Sequence, residues 1–221
     1  MTDTRSIAGV ILAGGGGRRM FPASPVGGDK SFAELAGQPM IGHVIGRLAP
    51  QVPQVVINAN GDSQRFARFG LDVIADAGEV GQGPLSGLLA AMVWAESLSD
   101  DITAVVTVST DTPFLPDDLV VRLSMASRGG IAIASSLGRL HPVIGLWPLS
   151  LRKSLEAALT EERRSVEKFA RLHEAVAVPF TPVTMAGQDV DPFFNANTPE
   201  DLAKAHALLA PTTSTKEQAN G

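Results

Sequence analysis

The sequence predicts a single α/β domain in which a mainly parallel sheet is flanked by helices. Two patterns and the chain length carry that prediction. Runs rich in β-branched residues, such as Ile7–Leu12 and Ala104–Val108, are apolar at nearly every position. Strands covered on both faces read that way, whereas half-exposed strands alternate. Stretches with apolar residues at helical spacing lie between these runs, and strands alternating with helices make βαβ units. The 221-residue chain, 44% hydrophobic and 19% charged, is long enough for one sizeable core without staples.

Taken in order, the first strand is Ile7–Leu12, and Met40, Ile41, Val44, Ile45 and Leu48 share one face of the first helix. Val55–Ile57 and Val73–Ala75 are the next strands. After Gly83-Pro84, Leu85, Leu88, Leu89 and Met92 mark a second helix. Strands follow at Ala104–Val108, Ile131–Ala134, Val143–Trp147 and Ala175–Val178. Helices are expected at Leu119–Leu123, opened by Asp117 and Asp118, and over Ser150–Leu159 and Ser165–His173. The last helix has a complete start signal: Thr198 as cap, Pro199 in first position, and Glu200 and Asp201 at its positive end. Pro211 stops it. Residues 1–210 therefore read as the domain and 211–221, a polar run, as a disordered tail.

The stretch LAGGGGRRM (Leu12–Met20) follows the first strand, where open α/β sheets bind ligands. It matches neither G-x-G-x-x-G nor the P-loop pattern. Consecutive glycine N–H groups can still converge on phosphate oxygens, and Arg19 and Lys30 can neutralise the charge. A plain surface loop is the other reading. Residues 13–29 separate the strand from the next structured pattern, and loops beyond about 12–15 residues are usually functional or disordered.

A second buried strand ends at Asp111, in STDTPFLP. A carboxylate at that end is placed to hold Mg²⁺, which takes one or two carboxylates and fills its shell with water and phosphates. It could equally cap a helix before Pro113. Asn195 and Asn197, two apart, would face one way in an extended segment, or Asn197 could serve the turn before Thr198. Asn58 stands at a strand end, while Asn60-Gly61 is a turn dipeptide. Asp76 ends another strand and could accept from a guanine edge, accept from a ribose, or cap a turn.

Other chemistries lack support. There is no cysteine, so no disulfide or thiolate is available. The four histidines, at 43, 141, 173 and 206, have no metal-ligand spacing, and only His141, in a loop before a strand, is placed to touch substrate. No G-x-S-x-G supports a covalent hydrolase. A net charge of −5 argues against a nucleic-acid-binding surface. No apolar run approaches the ~20 residues of a membrane helix, and no signal peptide is read, so a cytoplasmic protein is expected.

In one order the chain carries LAGGGGRRM, DKS, INAN, VIAD, GPLSG, DTPFLP, HPVIGLWP, EERRSV and FNANTPEDL. Together, from about Ile7 to Leu209, these resemble the molybdenum cofactor guanylyltransferases, the MobA family. The resemblance implies a Rossmann-like nucleotidyltransferase domain, a monomer that uses Mg²⁺. It implies GTP and Mo-molybdopterin as substrates, pyrophosphate and molybdopterin guanine dinucleotide as products, and transient contact with molybdoenzymes or their chaperones. By the same resemblance Leu12, Ala13, Gly14 and Gly15 line the guanine nucleotide site. Lys30, Asn58 and Asp76 contact GTP, Asp111 binds Mg²⁺ and GTP, and Asn195 and Asn197 hold the pterin or close the metal site. Arg19 and Lys30 are expected to neutralise phosphate charge. The rival readings are a CTP-dependent molybdopterin cytidylyltransferase, a sugar-1-phosphate nucleotidyltransferase, and a non-catalytic nucleotide-binding partner of a molybdoenzyme; Gly15, where cytidylyl relatives carry alanine, favours GTP, and the presence of Asp111 and Lys30 speaks against the non-catalytic reading. The family usually reaches its Asp-Lys pair sooner. Here FPASPVGG intervenes, and residues 20–29 are expected to order on nucleotide binding.

Overall fold

The computed structural model describes residues 4–14, 20, 28–77 and 83–210. The chain begins with β1 (Ile7–Leu12), a 3₁₀ turn at Lys30–Phe32, the short hairpin β2 (Glu34–Leu35) and β3 (Gln38–Pro39), and α1 (Met40–Leu48). Next come β4 (Val55–Asn58), a 3₁₀ helix at Ser63–Phe69, β5 (Asp72–Ile74), α2 (Pro84–Leu98), β6 (Ala104–Ser109) and α3 (Leu119–Ser127). The remainder is β7 (Ala132–Ser136), β8 (Arg139–Pro148), α4 (Arg152–Thr160), α5 (Val166–Leu172), β9 (Val176–Pro179), the hairpin β10 (Val183–Met185) and β11 (Gln188–Val190), and α6 (Pro199–Leu209).

Seven strands form the main sheet in the order β5-β4-β1-β6-β8-β7-β9. Only β8 runs against the others, pairing antiparallel with β6 and β7. The predicted mainly parallel sheet is therefore present. Central β1 and β6 are buried at every position but their last, which is why their sequences do not alternate. Ile7 and Ile11 pack on one face with α1 and α3 residues such as Val44, Leu48 and Leu123. Ala8 and Val10 pack on the other face with Leu88 and Met92 of α2 and Phe169 of α5. Trp147 locks the β6–β8 register: its Nε1 donates to Thr107 Oγ1 at 2.9 Å, and that hydroxyl donates to Val143 O at 2.8 Å.

The chain leaves β1 toward β4 and β5, then returns across to β6 on β1's other side. This reversal opens a crevice at the carboxyl ends of β1, β4 and β6, where ligands of open α/β sheets bind. Backbone bonds continue past the strand ends and hold its floor: Ala13 N donates to Asn58 O at 2.8 Å and Ala59 N to Ile74 O at 2.9 Å.

The C-terminal helix starts as its sequence requires. Thr198 accepts from Asp201 N, and the Asp201 carboxylate accepts in return from Thr198 N at 3.1 Å. Besides the short β2–β3 hairpin and the 3₁₀ turn at Lys30–Phe32, three features depart from the sequence expectation. The 3₁₀ helix at Ser63–Phe69 and the β10–β11 hairpin, turned through Ala186 (φ 47°) and Gly187 (φ 76°), were not expected. The third is that β8 begins at Arg139, so His141 lies inside a strand rather than in a loop. The polar tail, 211–221, lies outside the described residues, as does most of the inserted segment; Met20, at its start, is buried with Met40 and Ala196.

Candidate active site

At the crevice is a cleft of about 330 Å³. Its lining includes Leu12 at the end of β1 and Gly14 beyond it, Asn58 at the end of β4 and Asn60 beyond it, Asp76 after β5, and Lys30. Ala13, next to these, is buried beneath the surface. Gly15 and Arg19, named from the sequence, lie outside the described residues, as does the rest of the tetraglycine run beyond Gly14.

One end of the cleft is built around Asp76. Asn58 Nδ2 donates to its Oδ1 at 3.1 Å and Asn60 Nδ2 to its Oδ2 at 2.8 Å. Asn60 Oδ1 accepts from Asp76 N at 3.0 Å, so one asparagine grips both side chain and backbone. Asn60 is thus a structural residue, and Gly61 beside it takes a left-handed φ of 84°. Each carboxylate oxygen receives one amide donor and keeps lone-pair capacity for another. Asn58 is itself fixed from below by α2. A Cβ added to Gly87 would lie 2.3 Å from Asn58 Oδ1, so only glycine lets the helix approach this side chain.

The other end is built around Asp111. Lys30 Nζ lies 2.5 Å from Asp111 Oδ2, a charge-assisted contact, and 3.3 Å from Asn197 Oδ1. Lys30 lines the cleft, while Asp111, 6% exposed, sits behind it. Among the described residues, Asp111 Oδ1 is buried without a hydrogen-bond partner. The Asp111 carbonyl accepts from Ala196 N at 2.9 Å, which docks the FNAN segment onto the β6 end. Asp111 does not cap a helix; α3 starts at Leu119, after Asp118. The two asparagines part company here. Asn197 reaches Lys30, whereas Asn195, half-buried, makes no side-chain hydrogen bond to a described residue. The side chain that brings the Lys30 turn to this point is Asp29, whose Oδ1 accepts from Ser31 N at 2.9 Å.

Sequence reasoning missed a buried polar chain beside the FNAN segment. Ser136 Oγ donates to Asp191 Oδ1 at 2.6 Å, and Asp191 Oδ1 also accepts from Phe193 N at 2.9 Å. With its one hydrogen committed to the carboxylate, Ser136 must accept from His141 Nε2–H, 2.7 Å away. The His141 ring rests 4.8 Å from that of Phe193. His141 therefore holds the backbone that leads to Ala196 and Asn197 and does not line the cleft. Burial lowers its pKa below the ordinary 6.5; the charge of Asp191 raises it and Arg139 lowers it further. Of the other histidines, His43 and His206 clip β2, bonding Leu35 O and Glu34 O, while His173 packs on Phe169.

A crevice at a topological switch point, with an oriented carboxylate at one end and a lysine–aspartate pair at the other, defines a nucleotidyltransferase. The chain belongs to the MobA-like NTP transferase family, whose model matches residues 9–176. It is 47% identical over 214 residues to a molybdenum cofactor guanylyltransferase of Mesorhizobium japonicum, covering 95% of this chain and 99% of that one. Its fold matches that of molybdopterin-guanine dinucleotide biosynthesis protein A from Archaeoglobus fulgidus, with TM-score 0.68, 22% identity and 90% and 97% of the two chains covered. It also matches 4-diphosphocytidyl-2C-methyl-D-erythritol synthase from Anaerococcus prevotii, with TM-score 0.67, 13% identity and coverage of 93% and 96%.

Two outcomes follow from this geometry. Alanine in place of glycine favours a helix by about 1 kcal/mol, but Gly87→Ala should still destabilise the protein, because overpacking typically costs about 1–3 kcal/mol. In urea unfolding, Gly87→Ala combined with Asn58→Ala should cost less than the sum of the two single changes; strict additivity would mean that the two side chains do not meet. The second outcome concerns His141. Because its folded pKa lies below 6.5, the unfolded chain binds the proton first. Its contribution is complete above pH 6.5 and is lost as pH falls through 6.5 toward the folded value. Stability measured at pH 7.5 and 5.5 should therefore fall less in His141→Gln than in the natural protein, and an equal fall would contradict the assignment.

Proposed function

We propose that the protein transfers GMP from GTP to the terminal phosphate of Mo-molybdopterin, forming molybdopterin guanine dinucleotide and pyrophosphate. The observation that carries this reading is the polarity of the cleft. An acceptor-only carboxylate, Asp76, stands at one end, and the cationic Lys30 with Asp111 behind it stands at the other. Guanine offers N1–H and N2–H donors, which match the free acceptor capacity of Asp76; the triphosphate then runs toward Lys30. The high identity to a named guanylyltransferase supports the same assignment. The cytidylyl neighbour has the same fold, so the fold does not choose the base.

In the proposed reaction an ionised phosphate oxygen of the pterin substrate attacks the α-phosphorus of GTP, and the bond from that phosphorus to the bridging oxygen of pyrophosphate breaks. A phosphate monoester is already anionic at neutral pH, so no general base is needed, and no histidine is among the described residues that line the cleft. The task is to bring two anions together and stabilise the charge leaving on pyrophosphate. Lys30 offsets that charge directly. Arg19 and the backbone N–H groups of Gly14 and Gly15 are assigned the same task from the sequence. Leu12 and Ala13 form the floor under the nucleotide, and Asn58 and Asn60 keep Asp76 aimed.

The residues present fit a magnesium ion at Asp111. Its Oδ1 is buried and lacks a partner, and among the described residues no group of three or more His, Asp or Glu forms a protein cage. One carboxylate plus substrate phosphates and water is a usual Mg²⁺ arrangement. Bound there, Mg²⁺ would polarise phosphoryl oxygens and neutralise developing charge. Asn197 holds Lys30 beside this carboxylate, and Asn195 is assigned to the pterin side. In solution the protein is taken to act as a monomer in the cytoplasm; among the described residues no helix is long and apolar enough to cross a membrane.

Calorimetry with GTP, CTP and ATP, each with Mg²⁺, tests the base assignment. GTP should bind selectively, and preference for CTP would move the protein to the cytidylyl reaction. In the transfer assay, Asp111→Ala should lose about 3 kcal/mol of barrier lowering, roughly 10²-fold in turnover, with a smaller effect on GTP affinity. Undiminished turnover would remove Asp111 from the mechanism.

A further inference from the structure

One side chain joins the two ends of the cleft through their supports, without bonding Asp76 or Lys30 itself. Arg65, on the 3₁₀ helix at Ser63–Phe69, donates from Nη2 to Asn60 O at 2.8 Å and from Nη1 to Asp62 O at 3.0 Å. Its Nε lies 3.2 Å from Asp29 Oδ2. Asn60 is the residue that grips Asp76, and Asp29 caps the turn that carries Lys30. A single guanidinium therefore holds the base-side loop through a carbonyl and the phosphate-side turn through a carboxylate. The fork of fixed donors makes this possible, because one planar group can bond several partners at set angles.

Packing reinforces the link. The Arg65 guanidinium lies over Phe66, 4.7 Å from the ring centroid, and Phe66 is 5.1 Å from Phe32 on the Lys30 turn. Among the described residues the buried Arg65 Nε has no directed hydrogen bond, so its contact with Asp29 is ionic and not aligned. That N–H is the one guanidinium donor that a small shift of Asp29 can straighten.

We propose that Arg65 is a positioning residue that couples base recognition at Asp76 to phosphate binding at Lys30. This rests on the reading of the cleft as a guanine nucleotide site. When the base seats on Asp76, the Asn60 loop is fixed, Arg65 with it, and the Asp29–Lys30 turn is held in place for the phosphates. Coupling of this kind is reciprocal.

Separate fragments of the nucleotide test the proposal. Guanosine binding is measured by calorimetry in the absence and presence of saturating magnesium pyrophosphate. In the natural protein the second fragment should tighten the first about tenfold, within the usual range of such coupling. Arg65→Lys keeps the charge but loses the fork. It should bring the coupling below about twofold while leaving each fragment's own affinity within about threefold. Asp29→Asn keeps the acceptor for Ser31 N but removes the ionic contact, and should give the same loss if Arg65→Lys does not fold. A purely structural role would instead weaken both fragments and preserve their coupling, which would overturn the proposal. Absence of coupling in a natural protein that binds both fragments would do the same. If the natural protein binds neither fragment, the guanine nucleotide reading itself fails, and the role of Arg65 falls with it.

Discussion

The site depends first on bringing Lys30 against Asp111. The two residues are 81 positions apart in sequence, and their charged atoms lie 2.5 Å apart with little solvent access to either side chain. Leaving either charge buried without the other would cost about 3–5 kcal/mol. Both have to be delivered together, by elements that have nothing else in common. Asp111 arrives by way of β6, whose register is fixed on one side by β1 and on the other by β8. Lys30 arrives on a 3₁₀ turn, which has little stability of its own. The cap from Asp29, the packing of Phe32 on Phe66 and the hydrogen bond to Asn197 supply what the turn lacks.

This contrast explains how the structure divides its work. The strand ends are rigid because backbone pairing continues beyond them, and they carry Asn58 and Asp111. The loops are held by side chains: Asn60 holds Asp76, Asp191 holds the turn before FNAN, and Asp201 holds Asn197 N and Thr198 N. Each device uses a short acceptor to satisfy backbone N–H groups that the ladder no longer reaches. The His141–Ser136–Asp191 chain belongs to the same set. It resembles a nucleophilic triad only in composition, because the serine hydroxyl sits between the other two and spends its hydrogen on the carboxylate.

Much of this was legible in the residues. Buried parallel strands announce themselves by continuous apolar runs, and the switch point places Asn58, Asp76 and Asp111 at one edge once the strands are known. The rest was hidden for identifiable reasons. The Ser63–Phe69 helix is too short to show a period, so Arg65 carried no signal. The β10–β11 hairpin turns on Ala186-Gly187, not on the asparagine or aspartate pairs that advertise such turns. Proline cannot donate to a ladder, yet Pro142 stands inside β8 beside His141. In the structure it lies beyond the β6 pairing and beside an irregularity in the β7 register, where no donor is demanded. Ser136, His141 and Asp191 are spread over 55 positions, and nothing in their local sequences says that they meet.

The two carboxylates of the site show why geometry decides roles that residue type leaves open. Both end a strand or follow one, and both are aspartates. Asp76 is held by neutral amide groups, which orient it without cancelling its charge, and it faces the cleft; it is equipped to accept from uncharged N–H or O–H donors of a ligand. Asp111 is held by a cation and lies behind that cation; its second oxygen is buried and unsatisfied. Were Lys30 to move toward a phosphate, as the proposed reaction requires, a neutral donor would leave Asp111 with an uncompensated charge, and only another cation could replace the lysine without a large desolvation penalty. Exchanging the two environments would exchange the chemistry. On the proposed reading, base recognition follows from amide neighbours and exposure, and phosphate chemistry from a lysine and burial, at two positions that the sequence alone presents as the same residue at the end of a strand.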